Sequence, residues 1–401
     1  MKKLLFISNG HGEDLIAARL AKPLLSNEGL EIKALPIVGV GSAYSAIGVP
    51  LIMGGENMPS GGFIRNGPRN LVMDLRAGLF ELTRRQIKVL KVIGPEIDLA
   101  ICVGDSLLTF LGGFYLKRPM IFLPTAKSDF VSSHWAIERW LMKRFCTKVF
   151  PRDQITAANL AGYGIPAEFA GNVMMDSLDF MGPDLNGVGN QWVIGILPGS
   201  RSDAYINLED ISKVVVAFEK LKAASGIRRP VKYLVALSGG LAFAEVSRYL
   251  ASFGWAVIEP DPDERQRGIV GYLEYSRPEF SARLSFTQGR FADVLQASQA
   301  VIGLAGTANE QAVGLGKPVV TFVGRGSQFT KKFVRTQKKL LGDSVSVVGS
   351  EPGTVAKELL AILMDDSRHA RMAQIGWERM GDPGAVKRIT AEIQASLNEK
   401  R

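Results

Sequence analysis

Residues 192–201 read WVIGILPGSR, an apolar run with one glycine that is closed by a proline–glycine turn and an arginine. A short apolar run bounded by turn formers predicts a buried strand. Similar runs follow it, and amphipathic helical stretches separate them, which predicts a parallel sheet with helices on both faces. The later strands expected in this part of the chain are residues 231–237, 283–287, 300–303 and 319–323.

The first 178 residues show the same alternation, with strands predicted at residues 3–8, 97–103, 120–123 and 148–150. Residues 179–190 (DFMGPDLNGVGN) are dense in turn formers and predict a linker. Ligands of such sheets bind beyond the carboxyl ends of the strands, so two halves facing each other would enclose a cleft. We therefore predict an α/β protein of two Rossmann-like domains facing a central cleft. The expected bounds are 1–178, the linker 179–190, 191–376, and 377–401 for a C-terminal helix that packs back on the first domain.

Composition limits the classes of protein that this chain can belong to. Its 401 residues include 48 lysines and arginines against 39 aspartates and glutamates, which gives a formal net charge of +9. A basic chain prefers anionic partners such as nucleic acid, phosphate-bearing substrates or an anionic membrane. Two cysteines and three dispersed histidines predict neither a disulfide framework nor a metal site, which suits a reducing cytosol. No apolar run approaches the roughly 18 residues that a membrane-spanning helix needs.

Two glycine turns in the second half have the composition of phosphate-binding loops. Residues 197–201 (LPGSR) expose backbone N–H groups after a strand, and Arg201 could hold a phosphate with two nitrogens. Residues 303–312 (GLAGTANEQA) open a helix whose N-terminus would attract phosphate, and Glu310 or Gln311 could bind ribose hydroxyls. The alternatives are an ordinary strand–helix turn with a surface arginine, and tight packing of helix against strand.

Candidate acid–base residues follow two strands of the first half. Residues 8–14 (SNGHGED) bring His11 and Glu13 to a position where they could deprotonate an acceptor hydroxyl. Favourable electrostatics at a helix N-terminus would also explain Glu13 and Asp14. Asp105 follows the strand at 97–103 and could take the same catalytic role or cap a helix. Which of His11, Glu13 and Asp105 is the base stays open.

A basic and amphipathic stretch lies between residues 63 and 91. Its cations alternate with large apolar side chains, a pattern that suits an anionic membrane surface. A basic surface helix with one face in the core would show the same pattern. The residues expected at the membrane are Phe63, Ile64, Arg76, Arg84, Arg85, Lys88 and Lys91.

The order of these motifs resembles that of lipid-A-disaccharide synthases, and more particularly the group called lipid-A-disaccharide synthase-related proteins. The resemblance covers nearly the whole chain. It rests on Gly12-Glu13, Val103-Gly104-Asp105, residues 169–172 (FAGN) with Asp176, Leu197–Arg201 and Gly306–Ala308. It implies a GT-B glycosyltransferase fold, a UDP-sugar donor used without a bound metal or other cofactor, a lipid-linked acceptor, and attachment to the inner face of the cytoplasmic membrane.

The resemblance also assigns roles to the two halves. It implies that the first half binds the acceptor and faces the membrane, and that the second half binds the UDP-sugar. The chain departs from the family where Gln311 stands in place of the ribose-contacting glutamate and where Gly171-Asn172 stands in place of a Gly-His pair. The residues expected to bind the nucleotide sugar are Gly199, Ser200, Arg201, Gly306, Thr307, Ala308, Asn309, Glu310, Gln311 and Asn172.

These observations predict an enzyme that moves a hexose or N-acetylhexosamine-type sugar from a UDP-sugar to a membrane lipid. Arg201 and the helix N-terminus after Gly306 would stabilise the charge on the leaving diphosphate in place of a metal. The expected partners are the donor, a lipid acceptor and anionic lipids, and no nucleic acid is expected. Two alternatives stay open: a UDP-sugar 2-epimerase, and a non-catalytic basic protein that binds membranes or nucleic acid.

Overall fold

The computed structural model describes residues 1–54, 79–182, 185, 190–200 and 202–398. Its contacts divide the chain into two compact units, Met1–Ser177 with Asp382–Arg401, and Leu178–Gly381. Each unit is an α/β domain built on one sheet, which confirms the predicted fold class. The chain enters the second unit after Ser177 and leaves it after Gly381.

In its described residues, the first unit contains a five-stranded parallel sheet. The strands are β1 (Lys2–Ser8), β2 (Leu30–Pro36), β3 (Leu99–Gly104), β4 (Met120–Pro124) and β5 (Cys146–Val149), in the order β2-β1-β3-β4-β5. The helices described between them are α1 (His11–Ala21), α2 (Ser42–Ser45), α3 (Leu79–Ile93), α4 (Ser106–Leu111), α5 (Ala136–Phe145) and α6 (Gln154–Gly162). Strand β2 was not predicted, because Glu31 and Lys33 interrupt its apolar residues at the edge of the sheet.

The second unit contains an eight-stranded sheet in its described residues. The strands are β6 (Trp192–Leu197), β7 (Val231–Leu237), β8 (Ala256–Ile258), β9 (Ile269–Arg277), β10 (Phe280–Gln288), β11 (Ala300–Gly303), β12 (Val319–Phe322) and β13 (Val345–Val348). Their order is β13-β12-β11-β6-β7-β10-β9-β8. The sheet is parallel except at β9, which is antiparallel to β10 and β8. This departs from the all-parallel expectation, because the short connection after Arg277 permits only an antiparallel neighbour.

The helices of the second unit alternate with these strands. They are α7 (Ala204–Ala224), α8 (Phe243–Ala251), α9 (Pro262–Gln266), α10 (Phe291–Ala297), α11 (Thr307–Gly314), α12 (Lys331–Leu341), α13 (Pro352–Met364) and α14 (Asp366–Met380). Helix α14 crosses the boundary expected at residue 376, because Gly376 and Met380 are buried in this unit. The chain therefore leaves the unit at Gly381, where φ is +74°.

The last helix, α15 (Ala385–Asn398), belongs to the first unit. Ala385, Ile389 and Ile393 recur at intervals of four and pack into the same hydrophobic cluster as Leu4 and Phe6 of β1. The carboxylate of Asp176 accepts a hydrogen bond from the Val386 N–H at 2.6 Å and another from the Gly384 N–H, so it caps the start of α15. Asp176 thereby ties the two segments that connect this unit to the rest of the chain.

Continuous apolar strands follow from burial on both faces. Leu4 and Phe6 of β1 belong to one hydrophobic cluster, while Leu5 and Ile7 belong to another. A strand covered on both sides has no solvent face, so polar residues do not alternate along it.

The strand order reverses once in each sheet. From β1 the chain adds β2 on one side and later β3 on the other, and from β6 it adds β7 on one side and later β11 on the other. Open α/β sheets bind ligands outside the carboxyl ends of the strands at such a switch point. The turns after β1 and β3, and those after β6 and β11, are therefore the candidate sites.

Candidate functional site

The two glycine turns of the second unit meet at its switch point. Gly303 pairs with Leu197, and the Leu304 N–H donates to the Leu197 carbonyl at 2.9 Å. Gly199 has φ of +98°, and a Cβ there would lie 3.2 Å from the Leu304 carbonyl oxygen. Glycine is therefore favoured by the backbone conformation, and the close approach leaves little room for a side chain. The structure thus brings together two motifs that are separated by about a hundred residues in the sequence.

Asn309 supports the second turn from below. Its side chain is fully buried, and Nδ2 donates to the Gly303 carbonyl at 3.1 Å and to Gln337 Oε1 at 3.0 Å. Gln337 of α12 in turn donates from Nε2 to the carbonyls of Ala305 at 3.1 Å and Gly306 at 3.2 Å. Asn309 was expected to contact the nucleotide sugar, whereas both of these hydrogen bonds from its amide are to the protein. Gln337 was not singled out, because a buried glutamine in a basic helix leaves no distinct sequence signal.

The other residues predicted in these two turns differ in their exposure to solvent. Ser200 and Thr307 are exposed, Gly306, Ala308 and Glu310 are half-buried, and Gln311 is buried. Helix α11 begins after Gly306 without a side-chain cap from that residue. Its first N–H groups carry the partial positive charge of a helix N-terminus, which favours an anion. Arg201 lies outside the described residues.

Two further loops border the same edge of the sheet. In the loop after β12, the Gln328 N–H and the Ser327 hydroxyl donate to Asp203 Oδ2 at 3.1 and 3.2 Å, and Arg325 Nη2 lies 2.9 Å from Glu209 Oε1. These contacts fix that loop against the start of α7. The loop after β7 carries the exposed pair Gly239-Gly240. This pair was missed, although two glycines directly after a predicted strand are a readable signal.

The turns of the first unit meet in the same way. Gly104 at the end of β3 has φ of +148°, and a Cβ there would overlap Asn9 Oδ1 from the turn after β1. Helix α1 begins at His11 directly after that turn, and α4 begins after Asp105. The three catalytic candidates therefore follow two neighbouring strands at one switch point.

Those three candidates have different surroundings. His11 is exposed, whereas Glu13 is buried and folds back so that a Cβ on Gly10 would overlap its Oε2. Asp105 Oδ1 accepts the Leu107 N–H at 2.8 Å, which makes Asp105 the N-cap of α4. This contact matches the capping alternative for Asp105, and catalysis by any of the three stays a prediction.

Asp14 lies beneath the same turn. It is 1% exposed, and its Oδ1 accepts a hydrogen bond from the Ser8 hydroxyl at 2.6 Å. Ser8 Oγ also lies 2.6 Å from the hydroxyl of Tyr44, which is fully buried in α2. Burial raises the pKa of Asp14 from its ordinary 3.8 to about 6, against the opposing effect of the Ser8 hydrogen bond. Burial likewise raises the pKa of Tyr44 well above 10.

Asn172 lies in the first unit, whereas the other residues expected at the nucleotide sugar belong to the second. Its side chain is buried, and Oδ1 accepts the Met174 N–H at 3.1 Å. This hydrogen bond closes a local turn just before the chain enters the second unit.

The segment after β4 holds a charged cluster that the sequence did not reveal. Lys127 Nζ lies 2.7 Å from Glu138 Oε2 and 3.9 Å from the centre of the Trp135 ring. The buried His134 places Nδ1 3.5 Å from the same carboxylate oxygen. Burial opposes ionisation of Glu138, but the nearby His134 ring, the Lys127 ammonium group and the Trp135 N–H hold its pKa at about 2. The cluster thus fixes the start of α5.

The residues expected at a membrane fall into two groups. Phe63, Ile64 and Arg76 lie outside the described residues. Helix α3 buries one face at Leu82 and Leu90, and its opposite face exposes Arg84, Arg85, Lys88 and Lys91.

An aromatic cluster is exposed on the same unit. Phe110, Phe114 and Trp140 are 38%, 41% and 49% exposed, and the ring centres of neighbours lie 5.1 and 6.4 Å apart. Lys91 Nζ lies 5.4 Å from the centre of the Tyr115 ring, which itself packs against Phe110. The basic face of α3 and the aromatic cluster are therefore neighbours.

Two further structural features concern metals and membranes. Among the described residues, no three histidine, cysteine, aspartate or glutamate side chains are grouped to hold a metal ion. Within the same ranges, every helix is too short or too polar to cross a bilayer.

Comparison with known proteins identifies the fold. No family model matches the sequence, and no curated protein matches it. The solved structures that this chain resembles include three that are similar over nearly their whole length. UDP-GlcNAc 2-epimerase from Neisseria meningitidis bound to UDP-GlcNAc is 16% identical, with 98% of this chain and 100% of that chain covered and a TM-score of 0.56.

MurG from Acinetobacter baumannii is 13% identical, with 98% and 100% covered and a TM-score of 0.56. The calicheamicin glycosyltransferase CalG4 is 16% identical, with 100% and 99% covered and a TM-score of 0.54. At these identities the similarity concerns the fold, and the chain has the GT-B fold shared by glycosyltransferases and UDP-GlcNAc 2-epimerases.

Proposed function

We propose that this protein is a glycosyltransferase that moves a hexose or N-acetylhexosamine-type sugar from a UDP-sugar to a membrane lipid, in the manner of lipid-A-disaccharide synthase. The meeting of the turns at Gly199 and Gly306 carries this proposal. It places a helix N-terminus and two glycine backbones at the switch point of one sheet, the arrangement that binds a diphosphate.

The donor is held by the second unit in this proposal. The backbone N–H groups after Gly199 and in the first turn of α11 bind the diphosphate, and Ser200 and Thr307 add exposed hydroxyls. Glu310 or Gln311 binds the ribose. Arg201 contacts the diphosphate with two nitrogens and stabilises the charge that develops as UDP leaves, in place of a metal ion.

The acceptor is deprotonated by the first unit in this proposal. Its hydroxyl oxygen attacks the anomeric carbon, the bond from that carbon to the phosphate oxygen breaks, and UDP leaves with the electron pair. His11, Glu13 or Asp105 takes the hydroxyl proton, because all three follow β1 and β3 at one switch point.

Titration calorimetry with UDP, in the presence and absence of EDTA, tests the donor half of the proposal. We expect binding that EDTA leaves unchanged. If UDP fails to bind, or binds only with a divalent metal, the donor mechanism is wrong. Mass spectrometry of lipid products, after incubation with a panel of UDP-sugars and membrane lipids, then identifies the sugar and the acceptor.

The lipid acceptor requires the first unit to reach the membrane. The basic face of α3 and the exposed ring of Phe110 support binding to the anionic inner face of the cytoplasmic membrane. Each lysine or arginine near an anionic leaflet gains about 1 kcal/mol, so four acting together give reversible binding. Burial of aromatic rings would add to this.

Sedimentation with vesicles containing anionic lipid tests the membrane surface. We expect the protein to sediment with them, and high salt to weaken the binding. Replacing all four cations of α3 with glutamate should release it. The matched control makes the same charge change on the exposed cations of α12, which are Lys331, Lys332, Arg335 and Lys339. This control variant should sediment as the parent does. Equal behaviour of the two variants would show that α3 is only a solvated helix face.

A UDP-sugar 2-epimerase is the second candidate. The similarity to a UDP-GlcNAc 2-epimerase, which covers 98% of this chain and 100% of that chain, supports it. Such an enzyme needs no lipid, so incubation with UDP-GlcNAc alone should release UDP and an epimerised sugar. Salt-sensitive RNA binding without affinity for any nucleotide sugar would instead favour a non-catalytic binding protein.

A further inference from the structure

We infer that Asp14, Ser8 and Tyr44 form a proton-holding network that positions the turn carrying His11 and Glu13. The inference rests on the proposed function for its catalytic part, because it assigns Asp14 as a positioning residue for the acceptor side. Its structural part, an enclosed hydrogen-bonded network beneath the turn, stands on the geometry alone.

The three side chains come from three different elements and are completely enclosed. Ser8 ends β1, Asp14 lies in the first turn of α1, and Tyr44 lies in α2. An ionised carboxylate only accepts hydrogen bonds, so the Ser8 hydroxyl must donate to Asp14 and the Tyr44 hydroxyl must donate to Ser8. A protonated Asp14 can donate to Ser8 instead and reverse the direction of the whole chain. The network therefore has two hydrogen-bonding states that differ by one proton.

The network is connected directly to the candidate acid–base turn. The Asp14 N–H donates to the Gly10 carbonyl at 2.8 Å, and the Ile37 N–H donates to the Ser8 carbonyl at 2.7 Å. A Cβ on Gly39, where φ is +96°, would lie 3.7 Å from Asp14 Oδ2, so the loop after β2 covers the carboxyl group. A change in the hydrogen bonds of Asp14 therefore acts on the backbone that carries His11 and Glu13.

Burial and the neighbouring groups together account for the raised pKa of Asp14. Burial is the largest influence on its pKa, and the neighbouring Glu13 raises that pKa further, while Ser8 and His11 lower it. Tyr44 and, beyond it, Cys102 of β3 are the other titratable groups on this side, and burial raises the pKa of both. Perturbed carboxylates that are costly to ionise occur preferentially at functional sites.

The direction of the pH effect follows from the raised pKa. The native state binds the Asp14 proton more tightly than the unfolded chain, so folding is favoured at low pH and loses stability as pH rises from about 4 to about 6. A difference of about two pKa units corresponds to about 100-fold in the folding equilibrium constant. The loss is complete above pH 7.

Denaturant unfolding of the parent, Asp14→Asn and Ser8→Ala between pH 4 and pH 8 tests the network. Asp14→Asn should remove this step, so its folding constant relative to the parent rises by up to about 100-fold over that range. Ser8→Ala removes a hydrogen bond that lowers the pKa of Asp14, so it should move the step to higher pH. Parallel profiles for all three proteins would overturn the inference.

Calorimetry and kinetics separate this inference from the proposed function. Both variants should bind UDP within about twofold of the parent, because the donor site belongs to the second unit. With a transferable UDP-sugar, Asp14→Asn should lower kcat and leave the donor KM unchanged. Ser8→Ala should shift the low-pH side of the kcat–pH profile to higher pH, together with the step in stability. Unchanged kcat in both variants would overturn the positioning role. If the parent transfers no sugar, the proposed function fails, and the pH profiles of unfolding still decide whether the network exists.

Discussion

The two switch points share a backbone design and differ in the side chains beneath it. In each, a glycine at the end of a strand lies against an asparagine, so that a Cβ on Gly104 would overlap Asn9 and a Cβ on Gly303 would overlap Asn309. Each pair lies at the carboxyl edge of a sheet where the strand order reverses. The two sites therefore share a backbone arrangement, although the sequence predicts phosphate binding at one and acid–base chemistry at the other.

The supports beneath the turns separate the two sites. The first turn rests on the carboxylate of Asp14 and the hydroxyls of Ser8 and Tyr44, whereas amides of Asn309 and Gln337 hold the second. Amides keep their hydrogen-bonding pattern at every physiological pH, while a buried carboxylate changes its pattern with one proton. The support beneath the first turn can therefore change its hydrogen bonds with pH, whereas the support beneath the second turn keeps one pattern.

The largest expected effect is on sugar transfer and distinguishes the roles of the sites. Replacing the base among His11→Gln, Glu13→Gln and Asp105→Asn should lower kcat by about 10²–10⁴-fold, because proton removal in the transition state is lost. UDP affinity, measured by calorimetry, should stay unchanged in all three. Asn caps helices about as well as Asp, so Asp105→Asn should keep the stability that Asp105→Ala loses by about 1 kcal/mol. Parent-like kcat in all three variants would remove general-base catalysis from this turn.

The next largest effect, on the stability of the fold, is expected from placing a carboxyl group beneath the second turn, as Asp14 lies beneath the first. Asn309→Asp replaces the donor to the Gly303 carbonyl with an acceptor in a fully buried place, so the free energy of unfolding should fall by about 3 kcal/mol at neutral pH. Burial raises the pKa of such a carboxyl group, so stability should recover as pH falls and the group is protonated. Urea unfolding at pH 5 and pH 8 measures this. An equal loss of stability at both pH values would show that ionisation of the introduced carboxyl group is not its cause, and parent-like stability would show that the amide is not needed as a fixed donor.

A smaller effect should separate the sites by ligand binding. Gly303→Ala and Gly104→Ala each force a methyl group against an asparagine and should cost about 1–3 kcal/mol of unfolding free energy. Gly104→Ala adds the strain of positive φ. Only Gly303→Ala should weaken UDP binding, by about tenfold or more, since Asn309 holds the donor turn. Weakened UDP binding in Gly104→Ala alone would reverse the assignment of the two sites.

Much of the fold is readable because most strands are buried on both faces. The runs at 192–197, 231–237 and 300–303 are apolar with few interruptions, and the structure has strands there with the same bounds. Strands β2, β8 and β13, which were not predicted, are edge strands of their sheets. Their sequences are short or interrupted by polar residues. Strand β9 was not predicted, and its antiparallel pairing with β10 follows from the short connection after Arg277.

The sequence predicted the turns that form the candidate sites, but not the side-chain contacts within those sites. Glycines and small residues that follow predicted strands are enough to indicate the turns at Gly199, Gly306 and Gly10. Asn309 was expected to contact the ligand, and only its burial and its contact with Gln337 revealed its supporting role. No local sequence pattern predicts the hydrogen bond between Ser8 and Tyr44, which are 36 residues apart.

The sequence by itself determined the alternation of strands and helices, the division into two halves, the basic charge, and the positions of the turns that follow the strands. These properties depend on local periodicity and composition, which a single chain displays directly. Tertiary structure alone decided which turns meet, which asparagine is buried, that Asp105 caps α4, and that Asp14 is enclosed with a raised pKa. Those properties depend on strand order and burial, and both arise from contacts between residues that are distant in the chain.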